Sequence, residues 1–240
     1  MGAGMQQPPM EQGGGSGNAW LDVANVLFEP GAVFERVRAR PSFLAPYLTI
    51  IAVQVIIFFV NMPILQAAIQ AQMAAAGAPA GGAGPSTGML VGFGLGFLLI
   101  ILTIVFLISG VLLWVLVSVF GGDGKFTTLL SVSLYSAVPA AALLSIVGTI
   151  VLHVQGTAGI TSPQDMQPAL GLDLLSPGAK GFVGAILKGI NPFTVWGLFL
   201  TAIGVSTTHR LSKGTGYTVA IVSFVISLLI GGSLAAVFGR

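Results

Sequence analysis

The amino-acid sequence predicts an all-α membrane protein, a polytopic bundle of five transmembrane helices preceded by an N-terminal amphipathic helical segment. Three observations predict this class. Only 7% of the 240 residues are charged and 55% are hydrophobic, whereas a soluble domain carries about 25% charged residues. No charged side chain occurs between Arg40 and Asp123, although about 20 apolar residues already span the hydrocarbon core. The apolar runs are continuous, which indicates helices rather than the alternating strands of a barrel.

Five apolar runs are predicted to cross the membrane within a transmembrane domain that covers residues 42–240. Their approximate limits are residues 47–66, 90–120, 126–152, 192–208 and 217–238. The second run is long enough for a helix of about 46 Å, so we expect it to be tilted or to extend beyond the bilayer. Pro63 and Pro139 interrupt the first and third runs, where each removes one backbone donor and predicts a kink.

Two segments precede the first run. Residues 1–19 are rich in Gly, Gln and Pro and lack the features of a secretory signal, so they predict a disordered cytoplasmic tail. Residues 20–41 carry apolar side chains at helical spacing and predict amphipathic helices that lie on the cytoplasmic leaflet. A partner-binding role for these helices is the alternative. The interfacial residues are Trp20, Leu27, Phe34, Arg36, Arg38 and Arg40.

The positions of Lys and Arg predict the orientation in the membrane. In a five-span topology, six basic residues fall on the side of the N-terminal segment and three fall on the other side. Basic residues in short loops favour the cytoplasm. We therefore expect a multi-pass protein of the cell membrane with a cytoplasmic N-terminus and an external C-terminus.

The charge pattern argues against several function classes. No predicted span contains Asp, Glu, Lys, Arg or His, which disfavours a proton-driven transporter and excludes a paired-aspartate intramembrane protease. His153 and His209 fall at opposite membrane faces and cysteine is absent, so neither a metal site nor a cofactor is expected. Because no base lies at the depth of the serines in the third run, we expect no enzyme. The few basic residues are insufficient for nucleic-acid binding.

Polar residues in the first and third runs form a candidate site. Gln54 and Asn61 are seven residues apart, so they share one face of a helix. The third run offers hydroxyl groups and a proline. These residues predict either hydrogen bonds that pack the helices together or a polar path. The candidate residues are Gln54, Asn61, Ser131, Tyr135, Ser136 and Pro139.

Three segments together resemble the Yip-one (Ypt-interacting protein) domain family, and its bacterial branch in particular. They comprise residues 26–34 with 40–43 before the first run, residues 124–126 with 134–139 around the third, and residues 191–204 at the fourth. The matching family residues include Pro30, Phe193, Trp196 and Gly204. The resemblance covers about residues 22–238. It implies a five-helix bundle in a bacterial inner membrane and a relation to eukaryotic proteins of vesicle traffic.

Taken together, these features predict a non-enzymatic integral membrane protein that organises membrane or partner proteins. It would act through helix packing and the interfacial N-terminal segment, among membrane lipids, with self-association or partner membrane proteins. Two glycine pairs, Gly92 with Gly96 and Gly197 with Gly204, predict close helix packing within the chain or with a second protomer. The alternative is a channel or facilitator for an ion or small solute, with its path between the first and third spans.

Overall fold

The computed structural model describes residues 18–77, 85–156, 160 and 163–238, and this part of the chain is helical without strands. Nearly all of the predicted tail, residues 1–19, lies outside the described residues. Two short 3-10 turns, Pro163–Met166 and Leu172–Leu175, follow the seventh helix. The helices are α1 Ala19–Asn25, α2 Pro30–Ala39, α3 Leu44–Val60, α4 Met62–Ala75, α5 Thr87–Val119, α6 Phe126–Val138, α7 Leu144–Gln155, α8 Gly181–Gly189, α9 Pro192–His209 and α10 Lys213–Phe238.

Three helical stretches are long and apolar enough to cross a membrane, namely Thr87–Val119, Phe126–Gln155 and Lys213–Val237. Two helix pairs meet the same criterion only when taken together. Helices α3 and α4 are bent by 57° to each other, and α8 and α9 are bent by 64°. The described residues therefore supply three spans, or up to five if each bent pair crosses as one. The predicted all-helical membrane class is confirmed, and the predicted number of five is the upper end of this range.

Both prolines perturb their helices, but in different ways. Pro63 lies in the first turn of α4, just after the bend at Asn61, where its missing N–H needs no helical partner. Pro139 instead begins a π-helical turn, Pro139–Leu143, which joins α6 to α7 without ending the helix. The wider π turn lets the chain accommodate a ring that would clash with the preceding turn of an α-helix.

Helix α5 is one continuous helix of 33 residues, about 50 Å long at 1.5 Å per residue. It ends in a tight turn where Gly121 adopts a left-handed φ of 81°, a conformation that costs glycine nothing. The indole Nε1 of Trp114 donates to the carbonyl of Gly124 across 3.0 Å. This bond holds the turn against α5 and directs the chain back into α6.

Helix α6 is the centre of the bundle and contacts α2, α3, α5 and α9. Every residue from 128 to 136 is buried. The hydroxyl groups of Ser131 and Ser133 donate to carbonyls of their own helix at 2.8 and 3.0 Å, which lowers the cost of burying them. Helix α9 approaches closely because it presents glycine: a Cβ on Gly197 would lie 2.8 Å from the carbonyl oxygen of Ser136.

Candidate functional site

The N-terminal helix pair, α1 with α2, is built into the bundle. Helix α2 packs against α9 and α6, and α1 packs against α3. Phe34 is fully buried, and its ring faces Gly204 so closely that a Cβ there would lie 3.0 Å from ring carbons. The glycine of the family motif on α9 thus provides the space into which an aromatic ring of α2 fits. The other buried apolar residues of the pair are Val23, Val26, Val33 and Val37.

A partly buried ion pair joins the two helices of this pair. The guanidinium Nε of Arg36 donates to the carboxylate oxygens of Asp22 at 3.0 and 3.1 Å. The Asp22 side chain is 6% exposed and that of Arg36 is 35% exposed. The hydrogen bond to Asp22 raises the pKa of Arg36. A two-pronged, partly desolvated pair of this kind restricts the angle between the helices as well as attracting them.

Tyr135 connects the helix pair to the centre of the bundle. Its side chain is fully buried in α6, and its phenol donates to the main-chain carbonyl of Ala19 across 3.2 Å. The hydroxyl of Ser42, which precedes α3, lies 3.3 Å from the same phenol oxygen. Tyr135 therefore links α1, α6 and the start of α3. This placement makes it a packing residue beneath α1.

The residues predicted to be interfacial divide into two groups. Phe34 is buried in protein, Leu27 is half-buried, and Arg36 is engaged with Asp22, so these side chains serve the packing of the pair. Phe34 thus lies in the protein interior, where Gly204 leaves room for its ring. The remaining side chains, those of Trp20, Arg38 and Arg40, are exposed. Exposed beside them are Leu21 and Phe28.

The polar residues of the first span make hydrogen bonds to the third. The amide nitrogen of Gln54 donates to the carbonyl of Ala141, inside the π turn, and to the hydroxyl of Ser145 at 2.9 Å. Asn61 donates to the hydroxyl of Thr149 at 3.2 Å. Interhelical hydrogen bonds are one of the two predictions for these residues. In Gln54 both N–H groups of the amide nitrogen have an acceptor. Gln54 also supports an irregular helical turn of the kind often found at functional positions.

A cavity of about 460 Å³ opens beside Asn61. We call it the α3–α7 cavity, because these two helices line it together with the 3-10 turn at 172–175 and the junction of α8 and α9. Its polar lining includes Asn61, Thr149, Asp173 and Lys188. Tyr135, Ser131 and Pro139 do not line it. The cavity lies at the Asn61 end of the predicted polar path, and the path itself stays a prediction.

A second cavity, of about 330 Å³, lies between α5, α6, α9 and α10. Hydroxyl side chains from all four helices border it, among them Ser136, whose Oγ is buried without a hydrogen-bond partner. Most of the other hydroxyls are satisfied by carbonyls of their own helices, as Ser109 is by Val105 at 2.9 Å. Two of the family positions lie away from this interior: Trp196 is exposed on α9, and Pro30 begins α2.

Sequence reasoning missed two acidic residues, Asp22 and Asp173. Both are buried, at 4% and 7% exposure. A signal for each was present, because an isolated acidic residue next to long apolar segments rarely stays unpaired in a folded chain. The partner of Asp22 was not predictable, since Arg36 is 14 residues away across a break in the helix. Asp173 accepts from the main-chain N–H of Gly171. Within the described residues, no group of three or more His, Cys, Asp or Glu side chains is placed to hold a metal ion.

The helical bundle and its long apolar helices define a polytopic integral membrane protein. A family model for the Yip1 domain matches residues 24–235, and the chain belongs to this family. The matched range begins at the end of α1, contains the whole of α2 and ends within α10. The chain is similar to "Membrane protein YknW" of Bacillus subtilis (strain 168), with 24% identity over 236 residues, 96% of this chain and 98% of the relative. No solved structure matches the chain.

Proposed function

We propose that this Yip1-family protein is a non-enzymatic organiser that holds partner membrane proteins against its cytoplasmic face through the helix pair. One observation carries the proposal: the pair packs into the bundle and yet leaves large apolar side chains exposed. Trp20, Leu21 and Phe28 are 55%, 61% and 82% exposed. A rigid surface of this kind loses little conformational entropy when a partner binds.

The charges around this exposed surface suit the inner face of a membrane. Arg40 is exposed, and Arg38 forms a surface ion pair with Glu35 at 3.0 Å. Basic side chains next to exposed aromatic ones favour the boundary of an anionic leaflet. The surface would therefore meet partners at the depth where lipid head groups begin. The proposal extends to location in a bacterial inner membrane, with the N-terminus in the cytoplasm.

Site-specific photo-crosslinking in living cells tests this proposal. A photoreactive residue at positions 20, 21 and 28 is expected to capture the same protein partner, and one at Val154, exposed near the end of α7, is expected to miss it. The triple variant W20S/L21S/F28S should abolish the crosslink from a neighbouring exposed position, such as 32, while the chain remains folded. Capture of lipid alone at all three positions would contradict the partner-binding role.

Orientation in the membrane is tested separately, by labelling of single cysteines. The chain contains no cysteine of its own that would react. A single cysteine at position 28 should react only with a membrane-permeant maleimide in intact cells. A single cysteine at position 154 should also react with an impermeant reagent. Reaction at position 28 with the impermeant reagent would reverse the proposed orientation.

A facilitator for a small solute is the second candidate, favoured by the α3–α7 cavity beside Asn61. Tyr135 is fully buried beneath α1, so a complete path along α6 would require α1 to move. Solute flux into proteoliposomes that falls in N61L and rises in Y135F would favour this candidate. Equal flux in the wild-type protein, N61L, Y135F and empty liposomes would contradict the facilitator and favour the organiser.

A further inference from the structure

Two residues that line the α3–α7 cavity each have a buried side-chain oxygen without a hydrogen-bond partner. Asp173 Oδ2 and Asn61 Oδ1 make no hydrogen bond, and both residues line this cavity. Asp173 is only 7% exposed. Burying a polar oxygen without a donor is costly, and more so for a carboxylate. The lining of the cavity therefore includes two residues with an unsatisfied acceptor, which a ligand with hydrogen-bond donors would satisfy.

Local structure holds the Asp173 carboxylate in position. The main-chain N–H of Gly171 donates to Oδ1 of Asp173 at 2.8 Å, which leaves Oδ2 free. Leu172 N–H donates to the carbonyl of Ile190 at 3.0 Å and ties the turn to the α8–α9 junction. A Cβ at Gly171 would lie 2.7 Å from that same carbonyl. Glycine thus permits the close approach that buries Asp173 against the bundle.

The oxygen atoms that line the cavity favour an organic ammonium over a metal ion as the ligand. Calcium takes six to eight oxygen ligands, and Asp173 is the one carboxylate among the residues that line this cavity. A volume of about 460 Å³ falls in the range of small-molecule sites and far exceeds the roughly 30 Å³ share of one water molecule. A primary ammonium offers three N–H donors, one more than the two unsatisfied oxygens.

The rest of the lining indicates what the ammonium is attached to. Lys188 borders the cavity and brings a positive charge, which suits a phosphate. Leu144, Leu152 and Leu170 add apolar surface. We propose that the α3–α7 cavity binds a phosphoethanolamine group, with Asp173 and Asn61 accepting from its primary amine and Lys188 beside its phosphate. A phospholipid head group and a soluble phosphoethanolamine share this chemistry.

Lipid selectivity of the purified full-length chain tests the proposal. We expect native mass spectrometry to show retention of palmitoyl-oleoyl-phosphatidylethanolamine over the matching phosphatidylcholine by at least about tenfold. The two lipids share charge and phosphate, but the quaternary ammonium of phosphatidylcholine has no N–H to donate. Equal retention of the two lipids by the wild-type protein would overturn the proposal.

The substitution Asp173→Asn removes the charge and keeps an oxygen for the Gly171 N–H. We expect it to abolish the preference for phosphatidylethanolamine. Asp123→Asn, in the exposed turn between α5 and α6, is the matched control and should retain it. An unchanged preference in Asp173→Asn would overturn the proposal.

A second variant keeps the test decisive if Asp173→Asn does not fold. Gly148 lines the cavity, and a Cβ there would meet the Leu170 and Pro168 side chains at an ordinary 3.7 Å. Gly148→Ala should therefore bind like the wild-type protein, whereas Gly148→Leu should fill the cavity and lose the lipid. Undiminished binding in a folded Gly148→Leu protein would overturn the proposal.

The two sources of the ligand are separated by a thermal-unfolding assay in detergent. A lipid ligand is supported if phosphatidylethanolamine raises the midpoint of thermal unfolding and soluble phosphoethanolamine does not. An equal rise with both, lost in Asp173→Asn, would support the same site with a soluble ligand. No rise with either in the wild-type protein would contradict binding of this chemistry.

Discussion

The phenol of Tyr135, in the middle of the central helix α6, donates a hydrogen bond to the main-chain carbonyl of Ala19, 116 residues earlier in the chain, across 3.2 Å. This bond explains how a short helix of seven residues, too short to be stable alone, keeps a defined place. The phenol also meets the hydroxyl of Ser42. A residue of the family's third-span motif therefore positions the N-terminal end of the described chain.

Removing this phenol should loosen α1. We expect Tyr135→Phe to cost about 1 kcal/mol, because the carbonyl of Ala19 loses its buried donor while the ring still fills the core. Hydrogen exchange should accelerate in residues 19–26 more than elsewhere. Tyr217→Phe, on a ring that is 39% exposed, is the control and should leave that exchange unchanged. Equal protection of α1 in both variants would refute the role of Tyr135.

The Asp22–Arg36 pair should show strong coupling. Asp22→Asn leaves the guanidinium without its carboxylate, and we expect a loss of about 2 kcal/mol, less than for a fully buried pair because Arg36 is about one-third exposed. The double variant D22N/R36M should lose less than the sum of its single variants. Thermal unfolding in detergent measures the cycle.

The exposed pair of Glu35 and Arg38 provides the matched control for this cycle. Its oxygen and nitrogen are 3.0 Å apart, but the two side chains are 54% and 38% exposed. Glu35→Gln should therefore change stability by less than about 0.5 kcal/mol. Additive losses in the Asp22–Arg36 cycle would show that the two residues act independently.

The two glycine pairs should respond oppositely to alanine. A Cβ on Gly204 would lie 2.7 Å from Val132 and 3.0 Å from the Phe34 ring, whereas a Cβ on Gly96 would meet nothing within 4 Å. We expect Gly204→Ala to cost roughly 1–3 kcal/mol through overpacking. Gly96→Ala should be neutral or slightly stabilising, since alanine favours the helix. The unfolding midpoint of each variant provides the measurement.

Gly96→Ala also bears on self-association. Chemical crosslinking of the same variant in membranes reports whether copies of the chain meet at this face of α5. A lower yield of crosslinked dimer, together with a lower unfolding midpoint, would indicate that Gly96 packs against a second protomer. An unchanged yield of crosslinked dimer would indicate that the Gly96 face of α5 contacts lipid and not a second protomer.

Gln54 should stabilise the π turn. Gln54→Leu removes the donor to Ala141 and Ser145, and we expect a loss of about 1 kcal/mol, typical of hydrogen bonds between membrane helices. Hydrogen exchange at residues 139–145 should increase. Gln70→Leu, on an exposed position of α4, serves as the control. If the turn exchanges at the wild-type rate in Gln54→Leu, another contact maintains it.

Hydropathy and proline placement made much of the fold predictable. The apolar runs around α5, α6 with α7, and α10 were recognised because burial in lipid depends only on local composition and length. Pro63 and Pro139 marked the irregular positions because a missing N–H perturbs a helix whatever surrounds it. Three segments together led to the correct family for the same reason, because their motifs are local in the chain.

The candidate sites were harder to predict from the sequence than the spans. Lipid tails are as apolar as leucine, so hydropathy does not distinguish the lipid-facing side of a helix from its packed side. The sequence predicts Phe34 to be an interfacial residue. In the structure its ring lies in the core, because Gly204, 170 residues away, leaves space for it. Asp173 lies in a short 3-10 turn, and the approach of that turn to Ile190 buries it beside a cavity. Local chemistry thus specified membrane helices and their breaks. Contacts between distant glycine, aromatic and acidic residues specified what those helices enclose, because such contacts form only once the chain has packed.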